Sequence, residues 1–105
     1  MEANVIARTW NGSARSDQAD AYVAHLRERT FPQLRAIPGH RGAYVLRRAR
    51  GVDVEFTVVT LWESLEAIAG FSGDDPEQAV VPPEAQALLT SYDPRAVHWD
   101  VALEQ

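Results

Sequence analysis

The chain has 105 residues, a net charge of −5 from 15 acidic and 10 basic residues, and no cysteine. The length predicts a single domain over residues 1–105, and the missing cysteine excludes a disulfide scaffold, a zinc finger, an iron–sulfur site and a thiol nucleophile. The acidic balance disfavours a nucleic-acid partner. Because no run reaches the roughly 20 apolar residues of a membrane span and the start lacks the regions of a signal peptide, we expect a cytoplasmic protein with no membrane partner.

The first half of the chain predicts one strand and one helix. Residues 4–10 favour extended structure, and the Asn-Gly-Ser sequence at 11–13 should end that strand. Ser16 is a candidate N-cap for a helix whose apolar residues recur at helical spacing. Pro32 should end or kink this helix near Thr30 or Phe31, and His25 falls on the polar side of the predicted helix.

The second half predicts a hairpin, several short helices and a closing strand. Strands are predicted at residues 41–50, 52–63 and 96–103. Helices are predicted after Ser64, which can act as an N-cap, at the Asp-Pro-Glu-Gln of 75–78, which has the pattern of a capping box, and at 84–92. The resulting order, β-α-β-β-α-β, predicts an α+β, ferredoxin-like fold, a four-stranded antiparallel sheet with helices on one face.

The strand at 52–63 carries apolar side chains on both of its faces. One side, from Val54 to Trp62, is apolar, and the other carries Val59 and Leu61 near its end. A sheet that buries only one face in a monomer should alternate more cleanly than this. We therefore expect a second copy of the chain to cover the other face, in a homodimer joined through its sheets.

The order of the elements, the junction Leu-Trp-Glu-Ser-Leu-Glu-Ala at 61–67 and the closing Ala-Val-His-Trp-Asp-Val at 96–101 resemble the antibiotic biosynthesis monooxygenase superfamily over essentially the whole chain. The resemblance implies a dimeric α/β barrel that oxidises electron-rich aromatic substrates with O₂, often without metal or flavin. We therefore expect a cofactor-independent monooxygenase that acts on a phenolic or polycyclic aromatic, polyketide-like small molecule. The alternative is a non-catalytic small-molecule-binding or cyclase-like dimer of the same fold.

A haem-degrading branch of the superfamily implies a different site. That branch requires an axial His from the second helical segment, and residues 64–92 contain no His, so haem degradation is the less favoured alternative. The three histidines, His25, His40 and His98, do not have the spacing of a metal site. No glycine-rich phosphate loop stands in the context that a nicotinamide or flavin requires, and we expect neither a metal nor a cofactor.

The resemblance also points to residues of the site. Trp62 matches the strand-three Trp that lines the pocket in both branches. Arg8 or Trp10 stands where the first-strand Asn of these enzymes is expected, and Asn11 lies at the end of that strand. The candidate substrate-binding residues are Trp10, Tyr44, Phe56 and Tyr92.

Three residues are predicted to carry the chemistry, and each has a structural alternative. Trp62 is either core packing or an aromatic wall with an indole N–H donor. Arg8 is either an exposed arginine, or one paired with an acid such as Glu55, or an anchor for a phenolate or carboxylate. His98 is either a hydrogen-bonded surface or interface histidine or a general base.

Overall fold

The first strand, β1 (Ile6–Arg15), is longer than predicted. The computed structural model describes residues 5–105, so Asn4 lies outside the described residues. The prediction that β1 ends at 11–13 is wrong, because Asn11 to Arg15 continue the antiparallel pairing with the neighbouring strand. Gly12 lies within the strand, paired with Phe56, and a Cβ at this position would come within 3.1 Å of the Trp10 indole. This glycine permits a close approach rather than a turn.

One continuous helical segment follows, made of α1 (Ala19–His25), a π-helical turn (Leu26–Thr30) and α2 (Phe31–Arg35). The predicted cap at Ser16 is wrong, since its N–H donates instead to the Val52 carbonyl at 2.9 Å. Pro32 does not end the helix; it follows the wider turn, in which the Phe31 N–H donates to the Leu26 carbonyl. Proline lacks an N–H and crowds the carbonyl four residues earlier, which accounts for the widening.

The predicted hairpin is confirmed as β2 (His40–Arg50) and β3 (Asp53–Trp62). Helix α3 (Leu65–Ser72) begins as predicted, with the Ser64 Oγ accepting the Ala67 N–H at 3.2 Å. The chain then forms α4 (Pro83–Gln86) and two short strands, β4 (Ser91–Tyr92) and β5 (Val97–Asp100). The helix predicted at 84–92 is therefore only four residues long, because Ser91 and Tyr92 pair with β1.

No helix forms at 75–78, and the capping-box prediction is wrong. The Asp75 carboxylate does accept the Glu77 N–H at 3.0 Å, but Gln78 then bridges to Arg95 in antiparallel fashion. The backbone from 75 to 82, which we call the strap, crosses the side of the sheet instead of coiling. Its carbonyls bind Arg8, a contact that a helix would forbid because its carbonyls bond within the helix.

The sheet is antiparallel, in the order β2-β3-β1, with β4 and β5 both pairing along the far side of β1. The α+β, ferredoxin-like architecture is therefore confirmed, with β4 as an additional short strand. We call the face covered by the helical segments the inner face; it holds two core clusters, centred on Trp10 with Phe56 and on Trp62 with Leu34. The opposite, outer face has no helical cover in the described chain.

Candidate ligand-binding site

Three polar side chains lie side by side across the inner face of the sheet. Arg8 of β1 pairs with His98 of β5 on one side and with Thr60 of β3 on the other. Directly opposed residues on neighbouring antiparallel strands place their Cβ atoms about 5 Å apart on the same face. The three strands therefore form a polar row, His98–Arg8–Thr60, in a layer that is otherwise mostly apolar.

Arg8 is buried without an acidic partner. Its side chain is 4 % exposed; Nε donates to the Pro76 carbonyl at 3.2 Å and Nη2 to the Gln78 carbonyl at 2.7 Å. The guanidinium lies 5.4 Å from the Phe71 ring centroid. Within residues 5–105 no carboxylate forms an ion pair with it, and Glu55 instead binds two arginines of β2.

This environment makes Arg8 an attractive site for an anion. Burial lowers the pKa of Arg8 to about 10, so the group remains charged at neutral pH in a medium that disfavours charge. Two carbonyls and one ring face supply partial negative charge but no compensating anion. The Nη1 group has no partner in the described chain, which leaves donors for an incoming oxyanion.

His98 lies next to Arg8 with one ring nitrogen unpaired. Burial lowers its pKa below the usual 6.5, and the positive charge of Arg8 lowers it further; Glu77, the Pro76 carbonyl and Asp75 act weakly in the opposite direction. The imidazole is therefore neutral at pH 7. Its Nε2 is buried and has no hydrogen-bond partner, so one ring nitrogen remains available to accept a proton.

Trp62 is not the wall of the cavity. It is fully buried, and it packs edge-on to His40, with ring centroids 5.1 Å apart, and against Phe71 at 6.4 Å. Its indole N–H donates to the Thr60 Oγ1 at 2.8 Å. The indole donor is thus engaged inside the protein, and it is the Thr60 side chain that reaches the cavity.

The cavity lies between the helical segment, the inner face and the strap, and it has two parts. The inner part holds about 30 Å³ and is lined by Arg8, Thr60, Trp10 and Tyr22, among others. An outer groove of about 450 Å³ borders it. Six residues line both parts: His25, Thr30, Phe71, Val80, Val81 and Pro82. The inner part has room for one or two water-sized groups, and the outer groove is of a size that accepts a small organic molecule.

The residues expected to bind substrate are not brought together. Trp10 lines the inner cavity, with its indole N–H donating to the Asp93 carbonyl at 2.7 Å. Phe56 is buried against Tyr22, with ring centroids 5.0 Å apart. Tyr44 lies on the outer face and is 50 % exposed, because its place in β2 opposes Val59 rather than Thr60. Tyr92 lies on β4, 6.0 Å from the Trp10 ring and outside the cavity.

Sequence reasoning missed three residues that line the cavity, namely His25, Thr60 and Phe71. His25, the last residue of α1, stacks against Tyr22 with ring centroids 6.4 Å apart and so does not lie on the polar face as predicted. The π-helical turn that follows brings Thr30 to it, with the His25 Nε2 3.5 Å from the Thr30 Oγ1. Thr60 stands on the same side of β3 as Phe56 and Trp62. A hydroxyl at that position was the available signal. For Phe71, the sequence offered no signal beyond the apolar character of the side chain.

Asn11 does not reach this cavity. It lies on the outer face, where its side chain accepts the Thr57 hydroxyl at 2.7 Å and donates to Asp93 at 3.2 Å. A broad open groove of about 540 Å³ adjoins it. The arginines and the glutamate of that groove, Arg47, Arg48 and Glu55, are all engaged in ion pairs. The groove therefore lacks an unpaired positive charge, and its remaining charged residue is the acidic Asp93, which distinguishes it from the cavity at Arg8.

Two further observations concern metal ligands and membrane-spanning helices. From residue 5 onward, no three side chains of the metal-ligating types converge. No helix in that same stretch has the length and apolar character needed to cross a bilayer.

Comparison with known proteins decides the family. The sequence profile of the antibiotic biosynthesis monooxygenase family matches residues 9–83, which is more than half of the chain. The chain belongs to this family. The matched stretch contains β1 from Thr9, the helical segment, the hairpin, α3 and the whole strap. No curated protein matches the sequence.

Solved structures confirm the fold at low sequence identity. SnoaB, a cofactor-independent oxygenase of Streptomyces nogalater, aligns with a TM-score of 0.60 at 16% identity, over 98% of this chain and 96% of its own. A monooxygenase from the gene ActVA-Orf6 of Streptomyces coelicolor, in complex with nanaomycin D, gives 0.61 at 18%, over 98% and 91%. A haem-degrading protein of Mycobacterium tuberculosis gives 0.61 at 19%, over 99% and 98%. These structures share the fold and differ in activity.

Proposed function

We propose that this member of the antibiotic biosynthesis monooxygenase family is a cofactor-independent oxygenase that uses O₂ to oxidise a phenolic or polycyclic aromatic small molecule. The single observation that carries the proposal is the buried, acid-free guanidinium of Arg8 on the floor of an apolar cavity. Relatives of the same fold include a cofactor-independent oxygenase and a monooxygenase that binds nanaomycin D, which supports the same substrate class.

The chemistry requires that the substrate itself supply the electrons. An anthrone-type substrate first loses a proton from its CH₂ group, or from the enol form, to give a delocalised anion. The anion gives its electrons to O₂ and forms a C–O bond, which yields a peroxide after protonation. Loss of water, with the second C–H proton, leaves a carbonyl group. The balance is R₂CH₂ + O₂ → R₂C=O + H₂O, a four-electron oxidation of carbon matched by the four-electron reduction of O₂.

Arg8 in the cavity and His98 beside it fit these steps. Arg8 stabilises the anion, because a charge-assisted hydrogen bond is strongest in a site from which water is excluded. His98 lines neither part of the cavity; its buried Nε2, which is unprotonated at neutral pH, takes the first proton once the ring turns past Arg8 towards the substrate. The same Nε2–H can return that proton to the peroxide. The strap and Phe71 keep bulk water from the anion.

The size of the cavity supports one arrangement of the ring and its oxygen. A ring fits the outer groove of about 450 Å³, between Phe71 and the strap on one side and the π-helical turn on the other. The inner part, at about 30 Å³, admits only a water-sized group. The substrate therefore directs one oxygen inwards to Arg8 and leaves its carbon skeleton in the groove.

We also propose a homodimer that is joined through the outer face of the sheet. Four large apolar side chains lie exposed there, namely Tyr44, Leu46, Val97 and Trp99. Trp99 is 57 % exposed, and its indole N–H donates to the Thr9 hydroxyl of the neighbouring strand at 2.8 Å. A contiguous apolar patch of this kind marks an interaction surface, and a second copy presents the matching surface under two-fold symmetry.

The direct test of the activity is oxygen consumption with anthrone, followed by mass spectrometry of the product after reaction under ¹⁸O₂. We expect one O₂ consumed per anthrone and one ¹⁸O atom in the product carbonyl. Arg15→Met, a change on the same strand but at an exposed residue outside the cavity, serves as the control and should turn over at the wild-type rate. Consumption no faster than in buffer alone contradicts the proposal.

A second candidate function is non-catalytic binding of the same ligand class. It is favoured by the position of Asn11, since the family's first-strand Asn has no counterpart in the cavity. The same experiment separates the two candidates. A ligand that binds aerobically and is recovered without added oxygen identifies a binding protein, whereas a labelled carbonyl identifies an oxygenase.

A further inference from the structure

We infer that the Thr60 hydroxyl donates a second hydrogen bond to the anionic oxygen of the ligand, beside Arg8, and that Trp62 is the positioning residue that aims this hydroxyl. The pair would make the site specific for an ionised aromatic oxygen over an aryl ether. The inference rests on the proposed binding of an aromatic anion at Arg8, but it does not require that the ligand be oxidised.

The Thr60 hydroxyl has one proton and two lone pairs to place. One lone pair accepts the Trp62 indole N–H at 2.8 Å. Within residues 5–105, this is the one side-chain hydrogen bond that the Thr60 hydroxyl forms, and the hydroxyl donates none, although the residue is only 3 % exposed. A buried donor without a partner lowers stability, and the cavity that Thr60 lines is the space in which an acceptor can lie.

Trp62 determines the direction of the hydroxyl proton. An indole N–H can only donate, so the hydroxyl must turn its own proton away from the ring. Threonine is β-branched and holds a narrow range of χ1 in a strand, which limits its freedom to turn elsewhere. The indole also polarises the hydroxyl and so strengthens it as a donor. This explains how Trp62 can act on a ligand from which it is separated by Thr60.

Arg8 and Thr60 are opposed residues on adjacent strands, so both can reach one oxygen in the inner cavity. Two fixed donors on a developing negative charge form an oxyanion site. Such a site lowers the pKa of a bound phenol, because it stabilises only the ionised form. An aryl methyl ether has no anionic oxygen and places a methyl group against the unpaired hydroxyl, which opposes its binding.

The test uses 4-nitrophenol, whose phenolate is coloured, and 4-nitroanisole as the neutral counterpart. Absorbance titration of the bound probe gives its ionisation, and calorimetry gives both affinities. In the wild-type protein we expect the bound phenol to ionise at a lower pH than the free phenol. Thr60→Val should weaken phenolate binding about tenfold or more, the range expected for one hydrogen bond to a charged group. It should leave anisole binding equal or stronger.

Two further variants separate a donor from a structural role. Thr60→Ser keeps the hydroxyl and should retain most of the preference for the phenolate. Trp62→Phe keeps an aromatic ring but removes the indole N–H that orients the Thr60 hydroxyl, and it should lower that preference. The other titratable groups are the same in all these proteins, both those that line the cavity, namely Arg8, Tyr22, His25, Arg29 and Glu84, and those close to Arg8 and His98, namely Asp75 and Glu77. A difference in probe ionisation therefore reports on Thr60 itself.

Each outcome decides something different. Equal phenolate binding and ionisation in wild type and Thr60→Val overturns the role of Thr60. If Thr60→Val fails to fold, Thr60→Ser and Trp62→Phe carry the test, and loss of preference in the serine variant, or its retention in the phenylalanine variant, overturns the inference. Ionisation of the probe without oxidation of anthrone supports Thr60 and refutes the oxygenase. Absence of phenolate binding in the wild type overturns the anion site and Thr60 together.

Discussion

Replacing Arg8 with methionine should separate stability from ligand binding. Burial lowers the pKa of Arg8 from 12.5 to about 10, and each tenfold change in an acid constant corresponds to about 1.4 kcal/mol. Keeping the guanidinium charged inside the protein therefore costs about 3 kcal/mol. The group is protonated in both the folded and unfolded states at pH 7, so the whole cost is present there, and it declines only as the pH rises above about 10.

Arg8→Met removes that cost and keeps an unbranched apolar side chain over Phe71. It also leaves the Pro76 and Gln78 carbonyls without their donors, at roughly 1–3 kcal/mol each if they stay dry. The two effects oppose each other, so we expect the free energy of unfolding to stay within about 2 kcal/mol of the wild-type value. Phenolate affinity, in contrast, should fall roughly 10- to 150-fold, which corresponds to 1.5–3 kcal/mol for a charge-assisted bond.

The assay is urea denaturation together with calorimetry of 4-nitrophenolate binding, with Arg15→Met as the matched control on the same strand. Arg15 is exposed and pairs with Asp17, so its replacement should change neither quantity by much. Wild-type affinity in Arg8→Met would refute the reasoning. So would a large loss of stability with unchanged affinity, since it would make Arg8 a structural residue only.

Three other predictions follow from single contacts. Because the pKa of His98 lies below 6.5, kcat/KM should not change with pH near pH 7 and should fall tenfold per pH unit below that pKa. His98→Gln should lower kcat/KM at pH 7 and abolish its decrease at acidic pH. Leu46→Asp, on the outer face, should convert the dimer to a monomer in analytical ultracentrifugation, whereas Val52→Asp, in the hairpin turn, should not. Ser64→Ala removes the cap of α3 and should lower the free energy of unfolding by about 1 kcal/mol in urea.

The predictions that succeeded from the sequence rest on local signals. Alternation located β2 and β3 to within about a residue, and the Ser64 cap marked the true start of α3. The predictions that failed concern segments whose local structure depends on contacts with residues distant in the sequence. Gly12 resembles a turn residue locally, but it pairs with Phe56 and Tyr92 on the neighbouring strands and makes room for the Trp10 indole. The capping-box residues at 75–78 form no helix because their carbonyls bind an arginine about 70 positions away in the chain.

The site follows the same rule. Arg8 and His98 could be selected from the sequence because charged and titratable side chains are unusual among apolar strand residues. The one local signal at Thr60 was a hydroxyl on the apolar side of the strand, and that signal does not distinguish a binding residue from a structural one. The role of Thr60 follows from its pairing with Arg8 and from the bond to the Trp62 indole. His25 was assigned to the polar side of the helix, but it ends α1 stacked against the buried Tyr22, and this places it at the cavity.

The central claim is that a buried, unpaired guanidinium selects an aromatic anion, and one comparison in the unmodified protein tests it most directly. 4-Nitrophenolate and 4-nitrotoluene have nearly the same shape and differ in whether an oxyanion or a methyl group faces Arg8. The account predicts that the phenolate binds at least tenfold more tightly, in keeping with one charge-assisted hydrogen bond. Equal affinity, or tighter binding of the toluene, would contradict it.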